Sequence, residues 1–197
     1  QTWPDSYHTD YEQSKFNGMQ KALRFLQKGL EVNVVSPPRV YAAAEPTRSN
    51  VPVRLLYIYL KNRVGLVPGN GKGLGSYTFM ENIVQGHWLA MTKAPSGEEY
   101  LLGGENLSYL DFYRTIAEAT GKKYPVLKMP YQLSLLVGQV QLWLANSFGI
   151  EPKITTPWVK KYLNDWAIDS SKIEKLGYKP ISFKEGLIRV LEYRQKQ

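Results

Sequence analysis

Apolar and polar positions along this chain switch repeatedly between a helical and an extended period. Over residues 11–28, Phe16, Met19, Leu23 and Leu26 recur on one helix face, and Gly29 closes the segment. Residues 30–35 then read as a buried strand, short, apolar and branched at Val32, Val34 and Val35. Ser36-Pro37-Pro38 ends that strand, because proline has no N–H for a ladder. A helix closing on glycine and feeding a short apolar strand is half of a βαβ unit.

The alternation continues to the end. Helices are predicted over residues 52–62, 82–93, 110–120 (closed by Gly121), 131–148 and 183–194. A helical turn is predicted over 170–176, before Gly177, and a short helix opens at Thr156-Pro157. Extended segments are predicted over 64–68, 77–80, 99–103, 124–129 and 166–169, with residues 69–75 a glycine-rich mobile loop. The fold class is therefore α/β, with no internal repeat and no low-complexity tract.

Composition removes several kinds of chemistry. The chain has no cysteine, which excludes disulfides, thiolate metal sites and a thiol nucleophile, and fits a cytoplasmic setting. With only His8 and His87, a multi-histidine metal centre is not expected. The formal charge of +8 favours anionic partners, but the basic residues (Lys21, Arg24, Lys28, Arg48, Arg54, Lys61, Arg63) are scattered. No nucleic-acid partner is expected from such spacing, and an anionic cofactor or small-molecule substrate fits better. The apolar stretch over 133–150 is broken by Gln139, Gln141 and Asn146, so it predicts a buried or interfacial helix and no membrane span. Gln1-Thr2-Trp3-Pro4-Asp5 has no apolar core of a signal peptide.

The candidate chemistry lies at the opening of the first helix. Tyr11 and Lys15 are one turn apart, which puts phenol and ammonium on the same face. A neighbouring cation favours the phenolate, so a phenol so placed can act as general acid or base at a hydroxyl or carbonyl oxygen. Tyr57 with Lys61 and Tyr124 with Lys128 share the spacing. They read instead as packed aromatics with a lysine lying along them. Context separates Tyr11: Ser14 precedes the lysine, and the amphipathic helix, buried strand and Pro37-Pro38-Arg39-Val40-Tyr41 follow.

These segments together resemble the extended short-chain dehydrogenases/reductases. Tyr11-Glu-Gln-Ser-Lys15 with Gly29-Leu-Glu-Val-Asn-Val-Val-Ser-Pro-Pro-Arg-Val-Tyr41 is similar to that family's active-site helix and next strand. The likeness is closest to the dihydroflavonol reductase-like, 3β-hydroxysteroid dehydrogenase-like and sugar epimerase-like branches. Phe79-Met80-Glu81-Asn82, Tyr100-Leu-Leu-Gly-Gly-Glu-Asn106 and Ser170-Ser-Lys-Ile-Glu-Lys-Leu-Gly-Tyr-Lys-Pro180 resemble later family segments, in the family order. The resemblance implies the C-terminal part of a Rossmann-like doubly wound sheet plus a small mixed α/β substrate-binding subdomain. Residues 1–75 would hold the Rossmann-like part with the active-site helix and interleaved substrate-domain segments; residues 76–197 would be mainly the substrate-binding subdomain.

The resemblance also implies roles. Tyr11 would be the catalytic acid/base, and Lys15 would bind the nicotinamide ribose and favour the phenolate. Ser36, Pro37, Pro38, Arg39 and Val40 would pack against the nicotinamide of NAD or NADP. The expected enzyme is an NAD(P)-dependent oxidoreductase or epimerase/dehydratase, forming a homo-oligomer.

Two departures matter. Ala42 stands where the family has glycine after Val-Tyr, and no glycine-rich strand-turn-helix precedes Tyr11, so the cofactor's phosphate-binding half is expected to lie outside this chain. Residues 69–75 do not replace it: Gly73 follows Lys72 where a Walker loop needs Ser or Thr. The alternative expectation is a non-catalytic remnant that binds a ligand or partner. Asn82 and His87 read as packing and surface residues, Trp143, Trp158 and Trp166 as core or apolar pocket wall, and Tyr41 and Met80 as candidates to face substrate.

Overall fold

The computed structural model describes residues 10–47, 49–149 and 165–196. Helix α1 covers Asp10–Leu23 and tightens into a 3₁₀ segment, Arg24–Lys28, before Gly29 takes the left-handed conformation (φ 82°) that ends it. The strands are β1 (Val34–Ser36), β2 (Arg39–Tyr41), β3 (Gly65–Pro68), β4 (Leu74–Phe79), β5 (Glu99–Leu101), β6 (Glu105–Ser108) and β7 (Val126–Met129). The remaining helices are α2 (Val51–Asn62), α3 (Met80–Lys93), α4 (Tyr109–Thr120), α5 (Tyr131–Phe148), α6 (Ser171–Glu174) and α7 (Phe183–Gln195).

The sheets are mostly parallel. β1 pairs with β5, β3 with β7, and β2 with β4, all parallel, while β6 adds antiparallel to the far side of β4. Parallel neighbours with helices between them are the α/β arrangement expected from the alternation. Residues on both sides of position 75 build the same sheets.

The strands differ from expectation at several points. The strand expected over 30–35 is confined to Val34–Ser36 and is half-buried. At Asn33 the side-chain amide donates to the Ala90 carbonyl (3.0 Å) and accepts from the Glu98 N–H (3.1 Å), and the regular ladder begins only after it. β4 extends back to Leu74 and so takes in the end of the expected loop. β6 falls where a loop was expected, its four residues held to β4 through main-chain pairing from Leu74↔Ser108 to Tyr77↔Glu105. The predicted helix at Thr156-Pro157 and Trp158 lie outside the described residues.

Two apolar clusters hold the chain together. The larger is aromatic: Tyr41 lies between Phe79 and Phe183, and Phe112 against Tyr77, Tyr113 and Phe183, with ring centroids 5.1–5.3 Å apart. Such edge-on and tilted pairs add stabilisation beyond their buried area. The smaller cluster joins Ile83, Leu89, Tyr100, Leu102, Ile173 and Tyr178, with Val35 and Val40 packed against it. β2 is the divider: Tyr41 points into the first cluster and Val40 into the second, as the two-residue period of a strand dictates.

Among the described residues, two helices carry side-chain caps. The Ser108 hydroxyl accepts from the Asp111 N–H (3.0 Å), and Ser182 accepts from the Glu185 N–H (3.1 Å). Replacing either serine by alanine is expected to cost about 1 kcal/mol, read as a lower denaturant midpoint at unchanged slope.

Candidate active site

Tyr11 and Lys15 sit on the first turns of α1, on its outward side. Phe16, Met19 and Leu23 occupy the half-buried side, and Leu26 anchors the following 3₁₀ segment against the loop at Gly97. The Lys15 ammonium lies 5.3 Å from the Tyr11 ring centroid, so the pair expected from spacing is met in space. Tyr11 is 64% exposed, and no residue of α1 is buried. The phenol therefore faces open space rather than packed core. Beside the pair, Gln13, Ser14, Asn17 and Gly18 line a polar groove of about 510 Å³ along the same helix.

The Ser36–Val40 turn is built differently. The Ser36 hydroxyl donates to a Glu99 carboxylate oxygen (3.3 Å), and its carbonyl accepts from the Leu102 N–H (3.1 Å). Pro37 is exposed and Pro38 half-buried. Arg39 turns toward the aromatic cluster, where its guanidinium donates to the Tyr77 (3.0 Å) and Tyr109 (2.8 Å) hydroxyls and lies over both rings. Burial works against that charge, yet the two phenol oxygens outweigh it and raise the arginine's pKa above its ordinary value. No hydrogen bond or ring contact among the described residues joins Tyr11 or Lys15 to this turn. Tyr11, Lys15 and Pro37 are exposed and so open to a dinucleotide, whereas the Arg39 side chain is committed to Tyr77 and Tyr109.

Glu99 was not among the residues that sequence singled out. Burial lifts its pKa, against the opposing pull of the Ser36 hydroxyl and Lys172. A carboxyl whose folded pKa is raised supports the fold most at acid pH and loses that support as pH rises through the folded value. Glu99→Gln is therefore expected to stabilise the protein at neutral pH, with the gain vanishing in acid. Denaturant titrations at two pH values check this.

Other expectations resolve plainly. Tyr41 is 1% exposed and donates to the Phe183 carbonyl (3.3 Å), so it is a core residue and cannot face substrate. Burial pushes its phenol pKa well up, and Glu105 and Glu185 add to the effect. Trp143 is 61% exposed and belongs to no core, Trp166 is half-buried, and Met80 is exposed. Asn82 is buried, donating to the Lys179 carbonyl and accepting from the Ile181 N–H. His87 is exposed, its Nδ1 2.8 Å from the Ile83 carbonyl. In the glycine-rich loop the N–H groups of Gly69, Gly71, Lys72 and Leu74 all donate within the protein, which leaves them unavailable to cradle a phosphate. Among the described residues, no group of three or more His, Cys, Asp or Glu could hold a metal ion.

No protein-family model matches the chain. A dihydroflavonol 4-reductase-like protein of Synechocystis is 24% identical over 192 residues, covering 94% of this chain and 54% of that protein. Human short-chain dehydrogenase/reductase family 42E member 1 is 26% identical, covering 91% of this chain and 50% of that one. The crystal structure of Thermus thermophilus UDP-glucose 4-epimerase in complex with NAD shares the fold, with a TM-score of 0.70 over 98% of this chain and 57% of its own, at 19% identity.

The chain is similar to curated proteins named as dihydroflavonol reductase-like and short-chain dehydrogenase/reductase family members. It spans about half the length of the curated dehydrogenase/reductase relatives it matches. Its mixed α/β architecture with parallel strands is that of part of a Rossmann-like fold.

Proposed function

We propose that this chain supplies the acid/base pair and the substrate side of an NAD(P)-dependent oxidoreductase or epimerase/dehydratase acting at an alcohol or carbonyl carbon. One observation carries the reading: Tyr11 and Lys15 share one exposed face at the start of α1, with the ammonium 5.3 Å from the centre of the phenol ring. The breadth of the reaction class follows the relatives, which include a 3β-hydroxysteroid-dehydrogenase/decarboxylase of Arabidopsis thaliana and an undecaprenol-linked N-acetylglucosaminyl 4-epimerase of Escherichia coli O157:H7.

In this reading the Tyr11 oxygen takes the proton of the substrate hydroxyl as the alcohol is oxidised and returns it as a carbonyl is reduced. Lys15 stabilises the negative charge that develops on that oxygen and holds the ribose of the cofactor. The nicotinamide, when bound, accepts or donates the hydride. Pro37 and Pro38 would pack against the bound nicotinamide, and the chain's charge of +8 suits a partner that carries phosphates.

Lys15→Met tests the pair. In the full-length protein it is expected to weaken nicotinamide-linked turnover about 100-fold and to raise the cofactor concentration needed for half-maximal rate. Turnover and cofactor dependence equal to wild type would remove Lys15 from the mechanism.

A further inference from the structure

Strand β1 stops at Ser36, and a side chain of β5 holds that last residue. In this parallel pair Val34 stands opposite Glu99 and Ser36 opposite Leu101. Side chains two residues apart share a face of a strand, and register partners share it too, so Val34, Ser36 and Glu99 lie on one side of the pair. Val35 and Tyr100 lie on the other, in the smaller apolar cluster. Glu99 therefore reaches diagonally from the position opposite Val34, and its carboxyl oxygen accepts from the Ser36 hydroxyl at 3.3 Å.

Both ends of that bond are anchored. The Lys172 ammonium donates to the Glu99 main-chain carbonyl (2.8 Å), pairs with the Glu98 carboxylate and lies 4.8 Å from the Tyr100 ring centroid. Lys172 belongs to α6, whose Ile173 is fully buried in the smaller cluster. On the β1 side, the Ser36 carbonyl accepts from the Leu102 N–H (3.1 Å). Pro37 and Pro38 come next, with Pro37 exposed. Their rings fix φ and they have no N–H to place in a ladder, so the turn takes its direction from Ser36. Burial lifts the Glu99 pKa, so its charge weighs against the fold at neutral pH. A side chain retained against stability points to a task other than folding.

We propose that Glu99 is a positioning residue: through the Ser36 hydroxyl it sets the Ser36–Pro38 turn at the angle in which Pro37 and Pro38 meet the nicotinamide of the bound cofactor. The proposal rests on the dinucleotide-binding reading given above, and in it Glu99 acts only through Ser36. A turn already held in its bound geometry loses less freedom when the cofactor arrives, and binding is tighter by that difference.

Cofactor binding to the full-length protein, read from the fluorescence of NADH and of NADPH in separate titrations, tests this without turnover. Glu99→Ala is expected to raise the Kd of the nucleotide that wild type binds about fivefold, the effect of one hydrogen bond. KM for that cofactor should rise in step, with a smaller change in kcat. Glu99→Gln, whose amide carbonyl still accepts from the hydroxyl, is expected to bind within about twofold of wild type. Ser36→Ala should match Glu99→Ala, and the double variant should be no weaker than either, since both remove the same bond. Without cofactor, the Leu102 amide should exchange with deuterium faster in Glu99→Ala than in wild type. A Kd in Glu99→Ala equal to wild type overturns the proposal, as do additive effects in the double variant or a Glu99→Gln as weak as Glu99→Ala. The two readings fail separately. Wild-type turnover in Tyr11→Phe ends the acid/base assignment and leaves the Kd series to judge Glu99, whereas a full-length protein that binds neither nucleotide ends both.

Discussion

Tyr11→Phe in the full-length protein is expected to lower kcat/KM about 10²- to 10⁴-fold, the range general acid–base catalysis supplies. Little else should change. The ring is 64% exposed and its contact is with Lys15, so removing one hydroxyl is expected to alter stability by no more than about 0.5 kcal/mol. That separation makes the prediction sharp, because a structural tyrosine would lose stability and activity together. Phenylalanine keeps the ring beside the ammonium and deletes only the proton carrier. Steady-state rates with the nicotinamide cofactor, alongside a thermal melt, measure both sides. Wild-type turnover in Tyr11→Phe would end the proposed mechanism.

Gly104→Ala should instead damage the fold. An ideal Cβ at Gly104 would overlap the main-chain carbonyl oxygen of Tyr77 and stand 2.8 Å from the Thr78 hydroxyl oxygen. The clash is with backbone, so no rotamer change relieves it. Relief requires moving β6 away from β4, yet Tyr77↔Glu105 begins their pairing at the next residue, and the Gly104 N–H donates to the Ser76 hydroxyl (3.1 Å). The cost is expected to be about 3 kcal/mol or more, a drop in melting temperature of roughly 6–12 °C. Tyr77 also supports the Arg39 guanidinium, so the same shift is expected to disturb that pair. A melting temperature within about 2 °C of wild type would show that β4 and β6 separate freely.

Helix α5 and the site helix illustrate what could be read locally. The ends of α5 follow from Pro130 before it and Gly149 after it, and those of α4 from the Ser108 cap and Gly121, because capping and left-handed turns are decided by a few adjacent residues. The Tyr11–Lys15 pair is likewise local, since a helix turn alone brings the two side chains together. β6 could not be read in this way. Glu105-Asn-Leu-Ser108 has one buried apolar residue, and it is extended because β4 offers main-chain partners.

Arg39 shows the same limit within the candidate site. Resemblance placed it with its neighbours against a nicotinamide, but strand alternation and two distant phenols, Tyr77 and Tyr109, turn it toward the aromatic core. Nothing within ten residues of Arg39 announces either partner. Tyr41, equally open to a substrate role by sequence, is enclosed by Phe79 and Phe183 from strands and helices far along the chain.

By itself, the order of residues determined the α/β alternation, the helices and their stops, the resemblance to dehydrogenases/reductases, and the presence of a phenol one turn from an ammonium. Each of these depends on interactions within a few residues or on a linear pattern. Tertiary structure alone decided which face of α5 looks outward, where the Arg39 guanidinium points, and that Glu99 sits under Ser36. Those outcomes depend on side chains that meet across dozens of residues, and the energy of such a meeting is written in neither partner separately.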